Sequence, residues 1–126
     1  LEEVPSPCIA IGRVGEYCGA VHFIDEACWV TDNALYVKSH TDRLKPRYLE
    51  LCLQNLHLNQ HATGGAQPLM TQSIINRFKI PVPTVMKQLE IISADLAITA
   101  NHDAVLQRLA SVRELGRKLL TQCFET

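Results

Sequence analysis

The densest group of chemically capable side chains lies between Lys38 and Arg47. Lys38, Arg43, Lys45 and Arg47 fall within ten residues, with His40 between them and Tyr36 and Tyr48 on either side. Cations at this spacing can neutralise phosphates, and an arginine can also grip a guanine edge through two hydrogen bonds. The plain alternative is a solvated basic loop. A second group is glycine-rich: Gly12-Arg13-Val14-Gly15-Glu16-Tyr17-Cys18-Gly19. It lacks the G-x-G-x-x-G spacing of a dinucleotide site and falls between strand signals rather than ahead of a helix.

Catalysis has no comparable support. The sequence holds no G-x-x-x-x-G-K-[ST], no H-E-x-x-H and no G-x-S-x-G. It has no Pro-Pro, so the Asn/Asp-Pro-Pro-Tyr/Phe loop of a methyltransferase is absent too. The carboxylates Asp25, Glu26, Asp32 and Asp42 are scattered and suit turns or solvated faces better than a catalytic pair. The five cysteines, Cys8, Cys18, Cys28, Cys52 and Cys123, are odd in number, widely spaced and without a C-x-x-C. None of His22, His40, His57, His61 or His102 completes a zinc pattern. Reduced, partly buried thiols in a cytoplasmic protein are expected, with no metal and no cofactor.

These residues belong to a chain of 126 residues, the size of one ordinary domain. It is 47% hydrophobic and 20% charged, unlike a disordered tail, and long enough to bury a core without staples. Its net charge of -1 excludes a histone-like polycation but conceals an asymmetry. Residues 1–35 carry one base against six acids, residues 36–87 seven bases against two acids, and residues 88–126 four bases against five acids. A basic segment is therefore hidden inside a neutral total. No apolar run reaches the roughly 18 residues of a membrane span. No signal-peptide pattern opens the chain. It begins with Leu1 rather than Met, and a piece or processed product of something longer is expected.

Cys8-Ile9-Ala10-Ile11 and Ala20-Val21-His22-Phe23-Ile24 are strand-like runs, with glycines between them that suit a hairpin-like connection. Trp29-Val30-Thr31 and Ala34-Leu35-Tyr36-Val37 are further β-prone pieces around Asp32-Asn33. Ser39 to Lys45 is a polar, basic connection. Pro46 suits the first turn of a helix, and Leu49, Leu53 and Leu56 follow at helical spacing. Residues 62–68 break that helix, Ser73 to Asn76 can form one more turn, and residues 78–83 read as an extended edge segment because of Pro81 and Pro83.

From Thr84 to Phe124 there is no proline and one glycine, Gly116. Thr84 can cap a helix that would run roughly 60 Å at about 1.5 Å per residue, too long for a small globule to cover. Ile91, Ile98, Val105, Val112 and Leu119 recur every seven residues. Leu109 and Cys123 fill the alternate position, which Asp95, His102 and Gly116 interrupt. Leu89, Ile92, Leu96, Leu106, Leu115 and Leu120 form a parallel stripe. A seven-residue repeat of this length predicts a coiled-coil seam with polar breaks, the alternative being a plain amphipathic core helix.

Taken in order, several of these segments resemble a known family. Ile11-Gly12-Arg13-x-Gly15-x-x-x-Gly19 followed by Val30-Thr31-Asp32-Asn33-Ala34 resembles the second half of a target recognition domain, as found in the specificity subunit of type I restriction–modification enzymes and in related fused methyltransferases. Gly64-Gly65-Ala66-Gln67-Pro68 is similar to the family's Gly-x-x-Gln-Pro loop. Ile80-Pro81-Val82-Pro83, then Gln88 and a long helix, is similar to the junction between recognition domain and spacer helix. Each motif alone is weak; four in order over nearly the whole chain are fairly specific. The family's usual acidic residue before the junction glutamine is Lys87 here. Only about ten residues precede the glycine motif, so an upstream half of the recognition domain is expected in a complete protein.

The resemblance implies a specificity subunit, or a fragment of one, that does no chemistry itself. It reads DNA, and its long helices act as a ruler and docking surface for methyltransferase and restriction subunits. The expected fold is α+β: a small mixed β-rich recognition domain over residues 1–83, then a long coiled-coil helix over 84–126. Charge and loop placement select Arg13, Tyr17, Lys38, His40, Arg43, Lys45, Arg47 and Gln67 for contact with double-stranded DNA. The family's reading residues vary with the target, so none is carried over individually. Ile91, Ile98, Val105, Leu109, Val112 and Leu119 are expected to form a homodimer, antiparallel as in the family. The competing function is a remnant that acts only as an oligomerisation or assembly module through its helix.

Overall fold

A computed structural model describes residues 2–38 and 40–125. Two compact units divide the chain, one up to Leu89 and one from Glu90. The first holds all the strands: β1 (Glu2–Val4), β2 (Cys8–Gly12), β3 (Val21–Ile24), β4 (Cys28–Val30) and β5 (Ala34–Tyr36). It also holds α1 (Pro46–Asn55) and α2 (Gln72–Ile75). The last element, α3 (Val85–Phe124), is a 40-residue helix that starts within the first unit.

β2 is central in a three-stranded sheet of order β3-β2-β5, antiparallel to both neighbours. Cys8 lies opposite Ile24 and Ile11 opposite Val21, so the two predicted runs do form an antiparallel pair. Ala10 lies opposite Tyr36 and Gly12 opposite Ala34. A strand paired on both edges with its faces covered should be apolar without alternation, and Cys8, Ile9, Ala10 and Ile11 are all buried. The pieces on either side of Asp32-Asn33 go to different partners. β5 joins β2, whereas β4 pairs with β1, setting Val4 against Cys28 and Glu2 against Val30. β1 has no signal in the sequence, because three residues cut off by Pro5 and Pro7 show no periodicity.

α1 begins with Pro46 at its first turn, where the missing N–H costs nothing. Tyr48, Leu49 and Leu53 are its buried residues. Leu49 and Leu53 join Ile9, Ile11, Cys18, Leu58, Met70 and Ile74 in one core. The helix ends at Leu56, and His57 then takes a left-handed conformation at φ 49°. α2 is the short turn expected near Ser73, capped by Thr71, whose side chain accepts the Ile74 N–H. Residues 78–83 form no ladder with any strand, contrary to the expected edge segment. Their prolines remove donors, and the segment is held by side-chain bonds instead.

Candidate functional site

The glycine motif closes on itself at one end of β2. Gly12 N–H donates to the Ala20 carbonyl and Gly19 N–H to the Gly12 carbonyl, both at 2.9 Å. A Cβ on Gly12 would collide with the Tyr17 carbonyl. At Gly19, φ is +81°, and a Cβ would stand 2.7 Å from the Asn59 Cα. The loop thereby places Tyr17 outward, 67% exposed. Arg13 is half-buried. Its N–H donates to the Asn33 carbonyl at 2.9 Å, and its guanidinium Nη1 to the Asp32 carbonyl at 3.2 Å.

The Gly64–Pro68 loop docks onto this motif. Thr63 and Leu69 close it by exchanging backbone bonds, Thr63 N–H to Leu69 O at 3.0 Å and Leu69 N–H to Thr63 O at 2.7 Å. Val14 bridges to Leu69, and Met70 N–H donates to the Arg13 carbonyl at 2.7 Å. Two motifs some fifty positions apart in the chain thus share one end of the sheet, and Gln67 is exposed on the second.

The basic connection lies at the other end. Val37 N–H donates to the Ile9 carbonyl at 2.9 Å, which carries Lys38 past the Cys8 end of β2. Lys38 and His40 both line a cleft of about 270 Å³, together with Pro5, Ser6, Pro7 and Pro46. Arg43 is exposed and Lys45 half-buried. Ser39, with which the expected connection starts, lies outside the described residues. Arg47 is engaged within the fold. It pairs with Asp25 at 3.4 Å and Glu50 at 3.1 Å, and its guanidinium stacks 3.6 Å from the centre of the Phe23 ring. The eight residues selected for DNA contact therefore fall into two groups at opposite ends of β2, itself about 13 Å long at ~3.3 Å per residue.

The residue that fixes the basic connection is the junction glutamine, which the sequence marked but which was not among the residues selected for the site. Gln88, in the first turn of α3, is 0% exposed. Its Oε1 accepts the Lys45 N–H at 2.9 Å. Its Nε2 donates to the Arg43 carbonyl at 2.7 Å and the Pro83 carbonyl at 2.8 Å. Beside it the Tyr48 hydroxyl donates to the Pro81 carbonyl at 2.9 Å. Burial pushes the Tyr48 phenol above its usual range, and the neighbouring Cys52 thiol adds to the shift. The available signal was position. Gln88 follows Ile80-Pro81-Val82-Pro83 at the junction that resembles the family's, and nothing in that spacing tells which backbone groups it holds.

The expected seam residues are all accessible on α3. Ile91 is 36% exposed and Ile98 68%; Val105, Leu109, Val112 and Leu119 are also exposed. The parallel stripe is open as well at Leu96, Leu106, Leu115 and Leu120. Cys8, Cys18, Cys28 and Cys52 are free thiols. Among the described residues no group of three His, Cys, Asp or Glu side chains could hold a metal ion, and no helix is long and apolar enough to cross a membrane.

An antiparallel β-rich unit with two docked motif loops, a basic connection held by Gln88 and a long helix that starts from a proline-rich junction make this an α+β protein with a long C-terminal helix. The model of the type I restriction modification DNA specificity domain matches residues 4–95, most of the chain, and the chain belongs to that family. Its role is recognition of the DNA target within the restriction–modification complex, without catalysis. A search of curated proteins found no match.

Proposed function

We propose that the two groups at the ends of β2 form the DNA-contacting surface. Arg13, Tyr17 and Gln67 act from the motif loops, Lys38, His40, Arg43 and Lys45 from the stretch between β5 and α1, and Arg47 from the first turn of α1, where it leaves its pairs with Asp25 and Glu50 to meet DNA. The observation that carries this reading is the family match, because residues 4–95 include both loops and the connection. The lysines position the protein on phosphates, and the arginines and Gln67 reach base edges. Residues 1–83 serve as the recognition part and 84–126 as the spacer. The helix pairs with a second copy through Ile91, Ile98, Val105, Leu109, Val112 and Leu119. The assembled protein works in the cytoplasm with methyltransferase and restriction subunits.

The test is titration of duplex DNA at two salt concentrations. Each phosphate contact contributes about 0.9 to the slope of log affinity against log salt. Lys38→Ala and Lys45→Ala should weaken binding to all duplexes alike and lower the slope by about 1 each. Arg43→Ala and Arg47→Ala should also relax sequence preference, by about 1–3 kcal/mol for a bidentate pair. Binding indifferent to all four substitutions would move the DNA surface elsewhere. No salt-dependent binding at all would leave the assembly module as the function.

A further inference from the structure

We propose that Gln88 is a positioning residue for DNA binding: from the first turn of α3 it holds the Arg43–Lys45 segment in the conformation that meets the phosphate backbone. The proposal rests on the reading of that segment as DNA-facing. A glutamine amide has one acceptor and two donors, and here each is used. Oε1 takes the Lys45 N–H at 2.9 Å; Nε2 gives its hydrogens to the Arg43 and Pro83 carbonyls at 2.7 and 2.8 Å. The side chain is 0% exposed, so water offers no substitute for these partners.

The geometry goes beyond a structural contact. Gln88 grips the backbone on both sides of Leu44 and leaves the Arg43 side chain exposed. The Lys45 N–H is one of the unpaired donors at the start of α1, where Lys45 is the cap residue and supplies no side-chain bond of its own. Gln88 caps α1 from outside, and its own helix is capped by Thr84, whose Oγ1 accepts the Lys87 N–H at 3.3 Å. One amide therefore ties the start of the spacer helix, the proline junction and the basic connection together. An arginine and a lysine on a wandering loop lose freedom when they bind; held at the backbone they lose less.

The experiment uses the 126-residue chain and a fluorescently labelled mixed-sequence duplex, titrated at two salt concentrations. Gln88→Met keeps the volume and removes all three bonds. It should lower the salt slope by up to about 0.9 for each of the two cations released. Arg43→Ala with Lys45→Ala should lower it equally, and the triple variant should fall no further. Hydrogen exchange supplies the readout that a general loss of stability would not give. The Lys45 amide should exchange faster in Gln88→Met, while the Met70 amide, bonded to the Arg13 carbonyl at 2.7 Å, keeps its protection. If Met70 loses protection too, Gln88→Glu is read in its place. It keeps the volume and an acceptor for Lys45 but turns the donor toward Arg43 and Pro83 into an acceptor, and the same slope loss is expected. Unfolding of both variants overturns the proposal, because Gln88 would then be a folding residue. A slope unchanged in Gln88→Met, or a triple variant that loses more than the double, overturns it while leaving the DNA reading intact. No salt-dependent binding by the unmodified chain overturns the DNA reading and the proposal with it.

Discussion

Replacing Gly19 by alanine should cost far more stability than replacing either of two other glycines in the same unit. Two separate effects act at Gly19. Its φ of +81° lies in the left-handed region, where a Cβ costs about 1–2 kcal/mol. The added Cβ would also stand 2.7 Å from the Asn59 Cα and 2.8 Å from the Leu58 carbonyl carbon. Both are backbone atoms and cannot rotate away. Leu58 itself is 1% exposed, so shifting that segment disturbs the core, with overpacking costs of about 1–3 kcal/mol. The expected total is about 2–5 kcal/mol. Gly15 isolates the first effect, with φ +71° and nothing within 4 Å, so Gly15→Ala should cost about 1–2 kcal/mol. Gly65 has neither problem, and Gly65→Ala should be neutral or stabilising by up to about 1 kcal/mol through the unfolded chain. The assay is urea unfolding followed by the fluorescence of Trp29, the single tryptophan, which lies on β4 in the first unit and reports on it rather than on the helix. A Gly19→Ala cost within about 0.5 kcal/mol of Gly15→Ala, inside the usual scatter of surface substitutions, would refute the close approach of the motif to Leu58 and Asn59.

With its apolar stripes open, α3 should drive self-association; light scattering at tens of micromolar should give a dimer, and Leu109→Lys or Val112→Lys a monomer. A dimer that survives both substitutions would place the contact elsewhere. The raised Tyr48 phenol favours the folded state only while neutral, so its contribution is full below the ordinary value of 10.0 and is lost as pH rises through the higher folded value. Tyr48→Phe should therefore flatten the alkaline loss of stability, at a cost of about 1 kcal/mol for the bond to Pro81; an unchanged alkaline profile would contradict this. Burial, with the Cys28 thiol alongside, raises the Cys8 thiol. Cys8 and Cys18 should label with a thiol reagent only on unfolding, and exposed Cys123 first. Rapid labelling of Cys8 in the native state would show that β2 is not the buried centre of the sheet.

Local patterning determined a large part of this protein. The stretch from Thr84 to Phe124 has no proline and carries a seven-residue apolar repeat, and Val85–Phe124 is the helix which that pattern predicts. Pro46 and the leucines after it set α1 in the same way, and the two apolar runs around the glycine motif found each other as β2 and β3. The order of the motifs was enough to place the family, which the match over residues 4–95 then established. Tertiary structure decided what periodicity does not encode. β1 exists only because β4 offers it an edge. Arg47, one of four similar cations in sequence, is drawn onto Phe23 and Asp25 by the packing of α1 against the sheet. The antiparallel pairing of β2 with both neighbours sends the motif loops to one end and the basic connection to the other. Gln88 is marked in the sequence only by its place at the junction, and its task shows once the fold brings Arg43 and Lys45 beside it. Its partners there lie 43 and 45 positions away, beyond the reach of any pattern carried by neighbouring residues.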